Sequence, residues 1–196
     1  MDLKNIWTSN LQEAGELLDK CLNNEDFLKT VQDFSKSLVE CFQSEGNLLV
    51  CGNGGSHCDA LHFSEELTGR YRKDRSPLGA VALGEASHVT CVSNDYGFEH
   101  IFSRQVEGLG RSGDVFVGIT TSGNSENVLN AVKAAKKKGL KTIALTGKSG
   151  GKIKDMADLS IIVPSNVTDR IQEVHIKIIH TVIQSVERSL FPENYQ

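Results

Sequence analysis

A short apolar run that ends in a glycine-rich turn constrains the fold of this chain more than any other stretch. Residues 48–51 read Leu-Leu-Val-Cys, residues 52–56 read Gly-Asn-Gly-Gly-Ser, and residues 57–70 have helical spacing. We interpret the three parts as a strand, a loop and a helix. Glycine allows positive φ and lets a ligand approach the main chain, and the N–H groups at a helix start favour an anion. The stretch therefore predicts a ligand-binding turn, with phosphate as the first candidate ligand.

After residue 46, short β-rich runs alternate with helical stretches. The runs are nearly continuous in apolar residues, as expected for parallel strands that are buried on both faces, and they cover residues 47–51, 80–83, 115–119, 142–145 and 159–163. Helical segments lie between them, at residues 57–69, 98–109, 125–138 and 152–157. This alternation predicts an α/β fold, a three-layer α/β/α doubly wound sheet with five parallel strands. Ligands of such sheets bind beyond the carboxyl ends of the strands.

Helical patterns flank this region on both sides. Residues 10–42 carry apolar residues at steps of three and four, with a break at residues 23–26, which predicts two N-terminal helices. Residues 171–190 carry a wide apolar stripe, which predicts one long final helix that ends near residues 191–192. We therefore expect a single domain in which residues 1–45 form helices for packing or oligomerisation, 46–165 the β/α core, and 166–190 a helix that carries site residues.

Composition and charge exclude several classes of protein. The net charge of −4 gives no electrostatic footprint for nucleic acid, and no apolar run is long enough to span a bilayer. The first four residues, Met-Asp-Leu-Lys, lack the layout of a signal peptide. The five cysteines are an odd number without a Cys-x-x-Cys pair, which favours reduced thiols. We expect a cytoplasmic protein that binds neither nucleic acid nor membrane.

A second candidate loop follows the third predicted strand. Residues 119–127 read Ile-Thr-Thr-Ser-Gly-Asn-Ser-Glu-Asn and open a helix. Hydroxyl groups there suit either a phosphate or simple N-capping. Neither loop has the Walker-type lysine or the dinucleotide fingerprint, so a small phosphorylated metabolite is favoured over a nucleotide. Asn94 and Asp95 are predicted to lie in a loop after a short helix, where they would contact a ligand or form a turn.

A few polar side chains at helical spacing are candidates for chemistry. His62 and Glu66 share one helix face, which suits two metal ligands, a ligand and a base, or an ordinary surface pair. His180 lies beside the apolar stripe of the last helix, as a catalyst or as a hydrogen-bonded core residue. His175 lies on the same stripe and is the better candidate for a buried structural histidine. Gln172 is either a functional residue or part of the helix start.

Taken together, these stretches are similar to a known family. The matching segments are Cys-Gly-Asn-Gly-Gly-Ser-His-Cys-Asp-Ala at 51–60, Glu-Glu-Leu-Thr-Gly-Arg-Tyr at 65–71, Thr-Ser-Gly-Asn-Ser at 121–125, Ala-Leu-Thr-Gly-Lys at 144–148 and Asp-Arg-Ile-Gln-Glu at 169–173, with His62, His175 and His180. They resemble the phosphoheptose isomerases (sedoheptulose 7-phosphate isomerases) of the sugar-isomerase (SIS) domain superfamily, whose sheet is flavodoxin-like. The resemblance extends over essentially the whole chain.

The resemblance implies an activity and a set of site residues. The family converts D-sedoheptulose 7-phosphate to D-glycero-D-manno-heptose 7-phosphate through an enediol, on the route to the ADP-heptose of bacterial lipopolysaccharide and other surface polysaccharides. It implies a homotetramer with active sites between subunits, and one zinc ion per subunit held by residues that match His62, Glu66, Gln172 and His180. Glu66 would be the catalytic base and His180 its acid/base partner. The implied substrate contacts are Asn53, Gly54, Gly55, Glu66, Asn94, Asp95, Thr120, Thr121, Ser122, Ser125 and Gln172.

With this resemblance, the two loops receive different roles. We expect the hydroxyl-rich second loop to hold the phosphate, and the first loop to let the sugar chain pass close to the backbone with Asn53 as a polar contact. Two alternatives remain: a non-enzymatic SIS-domain regulator that binds a partner protein, and an isomerase for another sugar phosphate. The presence of both Glu66 and His180 favours an enzyme over the regulator.

Overall fold

The structure, a computed structural model, describes residues 2–196 and contains one parallel sheet of five strands. The strand order is β2-β1-β3-β4-β5. The strands are β1 (Leu48–Gly52), β2 (Ala80–Ala82), β3 (Val115–Thr120), β4 (Lys141–Gly147) and β5 (Leu159–Val163). The helices are α1 (Leu3–Leu22), α2 (Glu25–Gln43), α3 (Gly55–Thr68), α4 (Ala86–Asp95), α5 (Ile101–Leu109), α6 (Glu126–Lys137) and α7 (Thr168–Leu190). Short 3₁₀ helices cover Phe98–His100, Ile153–Asp155 and Pro192–Tyr195.

Two apolar cores cover the two faces of the sheet, so the predicted three-layer α/β/α architecture is confirmed. On one face, α2, α3 and α7 pack through residues such as Phe34, Phe63 and Ile179. On the other face, α5 and α6 pack through residues such as Phe102 and Leu129. β1 and β3 are buried along their whole length, as their unbroken apolar sequences predict.

The boundaries of several elements differ from the predicted ones. α1 begins at Leu3 rather than near residue 10, because the Asp2 side chain accepts a hydrogen bond from the backbone N–H of Lys4 and caps the helix. The predicted helix at 98–109 begins as a 3₁₀ turn, and the one at 152–157 is only a 3₁₀ turn. Asn94 and Asp95 lie in the last turn of α4, so their placement in a loop was wrong.

The N-terminal helices differ in how they are packed. Asn24 caps α2, whose apolar face is buried against the sheet and α7. α1 buries Leu17 and Cys21 but leaves Trp7 71% and Leu11 67% exposed. A role of residues 1–45 in oligomerisation therefore stays a prediction. Within residues 2–196, no helix combines the length and the apolar character needed to cross a membrane.

Candidate active site

The two predicted loops meet at one edge of the sheet. β1 and β3 are neighbours with Gly52 opposite Ile119, so both strands end at the same point. The side-chain amides of Asn53 and Asn127 exchange two hydrogen bonds of 2.9 Å and join the first loop to the start of α6. The order in which strands are added to the sheet reverses here, because β2 lies on one side of β1 and β3 on the other. Such a switch point is where ligands of open α/β sheets bind.

Hydroxyl groups gather in the second loop. The Oγ1 of Thr120 lies 3.1 Å from the Oγ of Ser125 and 3.5 Å from the Oγ of Ser122. Ser125 occupies the N-cap position of α6, yet its side chain makes no capping hydrogen bond. The simple-capping interpretation is therefore wrong for Ser125. A set of hydroxyl groups at a helix N-terminus suits an anion.

A cavity of about 360 Å³ lies between the first loop and α4. Its lining includes Asn53, Gly54 and His57 from the loop and the start of α3, with Thr90, Phe98 and Phe102 opposite. Gly54 has φ +55°, a conformation that residues with a Cβ rarely adopt. The first loop thus presents backbone to a mostly apolar cavity.

A second polar cluster forms where α3 and α7 pack together. The Nε2 of His62 lies 3.1 Å from the Oε1 of Glu66 and 3.5 Å from the Nε2 of His180. Their donor atoms all lie within 4.8 Å of one another. Spacing of four residues places His62 and Glu66 on one face of α3, and α7 brings His180 to that face. The Glu66 side chain is 16% exposed, so its carboxylate is held in a half-buried position.

This cluster suits a metal ion by its donors and by its spacing. Two ligand atoms about 2.1 Å from a tetrahedral zinc ion lie about 3.4 Å apart, and the observed separations are 3.1 and 3.5 Å. Burial and the neighbouring His62 lower the pKa of His180. A lowered pKa keeps the imidazole neutral, which is the form that binds a metal. The group could hold a metal ion.

Gln172 lies apart from this cluster. Its amide packs against Gly55, at the start of α3, where an added Cβ would lie 2.6 Å from Nε2 of Gln172. Gln172 and His180 are separated by eight residues of α7, which is about 12 Å along the helix axis. One chain thus brings together His62, Glu66 and His180, and places Gln172 beside the first loop.

Other expected substrate contacts are also separate within one chain. Asn94 and Asp95 are exposed at the end of α4, where the Nδ2 of Asn94 donates to Asp95 and the Cys91 thiol lies 3.7 Å from the same carboxylate. His175, in contrast, is fully buried, and its Nε2 lies 3.1 Å from the carbonyl oxygen of Thr146. The interpretation of His175 as a structural residue is confirmed.

Two residues beside the cluster, Asp59 and Tyr71, were not predicted from the sequence. The ring of Tyr71 stacks on His180 at 5.7 Å between centroids. Asp59, one turn before His62, has a buried carboxylate oxygen without a hydrogen-bond partner, and burial raises its pKa to about 6. Asp59 has the i, i+3 spacing from His62 that would have signalled it. Tyr71 follows the end of α3, in an irregular segment without a periodic signal.

Comparison with known proteins agrees with the fold and the loops, which together define an SIS domain. The family model described as SIS domain matches residues 10–147. The phosphoheptose isomerase of Histophilus somni is 54% identical over 180 residues, which cover 91% of this chain and 92% of the relative. The chain therefore belongs to the phosphoheptose isomerase family.

Solved structures of this family have the same fold. The phosphoheptose isomerase of Neisseria gonorrhoeae superposes with a TM-score of 0.89 at 41% identity, covering 95% of this chain and 99% of the other. The one from Francisella tularensis superposes with a TM-score of 0.91 at 36% identity, covering 96% and 100%. Similarity at this level includes the helices on both sides of the sheet.

Proposed function

We propose that this chain converts D-sedoheptulose 7-phosphate to D-glycero-D-manno-heptose 7-phosphate, on the route to ADP-heptose for bacterial surface polysaccharides. The observation that carries the proposal is the cluster of His62, Glu66 and His180 in a chain 54% identical to a phosphoheptose isomerase. An aldose–ketose isomerase needs a base and an acid close together. A regulator that only binds a partner protein has no need for this group, so the enzyme is favoured.

The reaction moves one proton between C1 and C2 and another between their oxygens. We assign the carbon proton to the Glu66 carboxylate, which takes it from C1 and returns it to C2 of the enediol. His180 serves the oxygen atoms when it is protonated and not bound to metal, donating to O2 as the enediol forms and accepting from O1 as it collapses. Each positioned transfer contributes roughly a hundredfold to ten-thousandfold in rate. The separation of 3.1 Å between His62 and Glu66 holds the carboxylate in one orientation.

We further propose that zinc, one per subunit, is held by His62, Glu66 and His180 with Gln172. Bound there, zinc would polarise the carbonyl group and stabilise the enediolate. A cation also stabilises the charged form of Glu66 and weakens it as a base. The proposal therefore predicts a balance between metal binding and basicity at one carboxylate.

The phosphate group is assigned to the second loop, at Thr120, Thr121, Ser122 and Ser125. Remote binding energy of this kind holds the reacting carbons against the acid and the base. The sugar chain would pass Asn53, Gly54 and Gly55, and Asn94, Asp95 and Gln172 would supply further polar contacts. Support comes from the meeting of both loops at one strand edge.

We propose a homotetramer in which each active site forms between subunits. Within one chain the Gln172 amide packs on Gly55, about 12 Å along α7 from His180, and so lies apart from the cluster. A neighbouring subunit would supply Gln172, together with the phosphate loop. We place the protein in the cytoplasm, since all five cysteines are free thiols.

The proposal is tested by incubating the purified protein with sedoheptulose 7-phosphate, and separately with a ketopentose and a ketohexose phosphate. We expect formation of an aldoheptose phosphate, and exchange of one carbon-bound proton with deuterated water. Turnover of only a shorter substrate would assign the site to another sugar phosphate. Absence of turnover with all three would favour the regulator.

Zinc is tested by removing it. We expect a chelator to lower kcat and added zinc to restore it, with metal content followed by elemental analysis. Protein that is free of metal and fully active would contradict the requirement for zinc.

A further inference from the structure

At the carboxyl end of α3, the carbonyls of Ser64 and Glu65 accept hydrogen bonds from Thr68 and Gly69, but those of Glu66 and Leu67 have no donor within the helix. The last carbonyls of a helix have no partner within it, and a basic residue or a left-handed glycine usually compensates. α3 has no basic residue in its last turn. Gly69 follows it with φ −88°, which is not left-handed. The donors must therefore come from elsewhere in the chain.

Arg75 supplies them from the segment between α3 and β2. Its Nη2 donates to the carbonyl oxygen of Glu66 at 2.7 Å. Its Nη1 donates to the carbonyl oxygen of Leu67 at 2.7 Å and to that of Gly69 at 3.2 Å. The guanidinium thus binds the backbone of Glu66 itself and places a positive charge at the negative end of the helix.

The same guanidinium is tied to α7 by a buried ion pair. The Nε of Arg75 donates to the Oε1 of Glu187 at 3.0 Å, and the two side chains are 0% and 1% exposed. The hydroxyl of Tyr195 donates to the other oxygen of Glu187. Buried charges are tolerated only when they are paired and hydrogen-bonded. All three guanidinium nitrogens of Arg75 and both carboxylate oxygens of Glu187 therefore have a hydrogen-bond partner.

The pair lies next to the candidate active site. Glu187 follows His180 by seven residues, about two turns, so both project from the same side of α7. Arg75 also donates to the carbonyl oxygens of Gly69 and Ser76, which lie before and after Tyr71 in the segment whose Tyr71 ring packs on His180. One side chain therefore contacts the backbone of Glu66, the helix of His180 and the segment of Tyr71.

We infer that Arg75, paired with Glu187, is a positioning residue that holds Glu66 and His180 at the separation needed to bind a metal and to act together on substrate. It acts through the α3 carbonyls and α7, and touches neither metal nor substrate. The inference rests on the proposed function where turnover is measured. The measurement of zinc affinity does not depend on which sugar the protein converts.

The decisive variant separates positioning from stability. Arg75→Met alone leaves Glu187 buried without its partner, which destabilises a fold. The double variant Arg75→Met/Glu187→Leu removes both charges, and replacing a buried pair by apolar residues is often neutral for stability. It removes the Arg75 donors from the carbonyls of Glu66 and Leu67, of which only that of Leu67 keeps a second donor, the backbone N–H of Leu78. Arg75→Lys keeps the charge but loses the planar fork.

Zinc affinity, kcat, KM and melting temperature are measured for each variant on the full-length protein. We expect the double variant to fold but to melt below wild type, because the Glu66 carbonyl and the Tyr195 hydroxyl lose their partners, with zinc affinity and kcat lower by about tenfold to a hundredfold and KM unchanged. The zinc affinity and kcat of Arg75→Lys should lie between those of the double variant and those of wild type. The control is Leu140→Ala, a buried residue before β4, which should lower the melting temperature and leave zinc affinity and kcat unchanged.

Wild-type zinc affinity and kcat in the double variant would overturn the inference. If the double variant does not fold, Arg75→Lys is the deciding variant. The inference is then overturned if Arg75→Lys has the same zinc affinity and kcat as Leu140→Ala. A wild-type protein that does not convert sedoheptulose 7-phosphate contradicts the proposed function instead, and the ratio of zinc affinities still tests Arg75.

Discussion

At the scale of single residues, Glu66 is subject to three constraints. Its carboxylate contacts His62 at 3.1 Å, it lies within reach of His180, and its backbone carbonyl accepts a hydrogen bond from Arg75. The side chain is 16% exposed, so its packing restricts its movement. This is the setting that a base needs, because its position is held before substrate arrives.

Glu66→Gln should abolish turnover and preserve binding. The amide has nearly the shape of the carboxylate but cannot take a proton, so we expect kcat to fall by about a hundredfold to ten-thousandfold. Isothermal titration with sedoheptulose 7-phosphate should still detect binding, and the melting temperature should remain close to wild type. Near-native turnover would remove Glu66 from the role of base.

The burial of His175 predicts that the stability of the fold depends on pH. Burial lowers its pKa to about 4, and its Nδ1 has no hydrogen-bond partner in the fold. In the unfolded chain the pKa is about 6.5, so the unfolded state binds a proton first as the pH falls. Stability from this residue is therefore complete above pH 6.5 and is lost between about pH 6.5 and 4, by about 3 kcal/mol.

The measurement compares urea unfolding of wild type and His175→Gln across that pH range. Glutamine retains a donor for the carbonyl of Thr146 but does not titrate. The variant should lose about 3 kcal/mol less than wild type on acidification, whatever its stability at neutral pH. Parallel pH profiles for the two proteins would contradict the assignment.

At the scale of elements, α3 connects the two parts of the site. It starts at the first loop, where Gln172 packs on Gly55, and carries His62 and Glu66 further along. α7 runs beside it and carries Gln172 near the first loop and His180 near Glu66. Because Gln172 and His180 lie on one helix, the distance between the two parts of the site is fixed.

The conformation of the second loop depends on its close contact with the loop at Gly150. Gly123 has φ +68°, and a Cβ there would lie 2.0 Å from the carbonyl oxygen of Gly150. Gly123→Ala should therefore displace the hydroxyl groups, raise KM for the sugar phosphate and lower stability by about 1–3 kcal/mol. Steady-state kinetics and thermal melting measure both.

Gly15→Ala is the matched control for this substitution. Nothing lies within 4 Å of the position that its Cβ would take, and it lies inside α1. Stability should rise by about 0.5–1 kcal/mol with KM unchanged. A Gly123→Ala protein with wild-type KM would show that the loop conformation does not matter for binding.

At the scale of the whole molecule, a single chain holds an incomplete set of the expected contacts. Gln172 is remote from His180, and Asn94 and Asp95 are exposed. The apolar side chains of Trp7 and Leu11 are exposed as well. An assembly of several copies would account for both features, because neighbouring subunits would supply the missing contacts and cover the apolar side chains.

Subunit mixing tests this arrangement. Glu66→Gln lacks the proposed base, and the double variant Thr121→Val/Ser122→Ala lacks two hydroxyls of the proposed phosphate loop. If each site combines residues of two subunits, joint refolding of the two inactive proteins at equal amounts should restore about a quarter of the sites. Activity is compared with the same proteins mixed without refolding. No recovery, with mixed oligomers present, would show that each chain forms its own complete site.

Much of this architecture was predictable from the sequence, because its signals are local. Continuous apolar runs such as residues 115–119 identify buried parallel strands, and positions four apart on a helix place His62 beside Glu66. Glycine and hydroxyl residues at strand ends identify the two loops. In each case the relevant partners lie within a few residues, so spacing alone reports their geometry.

Only the tertiary structure decided which of these features meet. His62 and His180 are 118 residues apart, and Asn53 and Asn127 are 74 apart, so no local spacing relates them. The separation of Gln172 from the cluster, the stacking of Tyr71 and the binding of Arg75 to the end of α3 all depend on how α3 packs against α7. The first loop and the helix after it were evident as sequence, but what faces that helix followed from long-range packing alone.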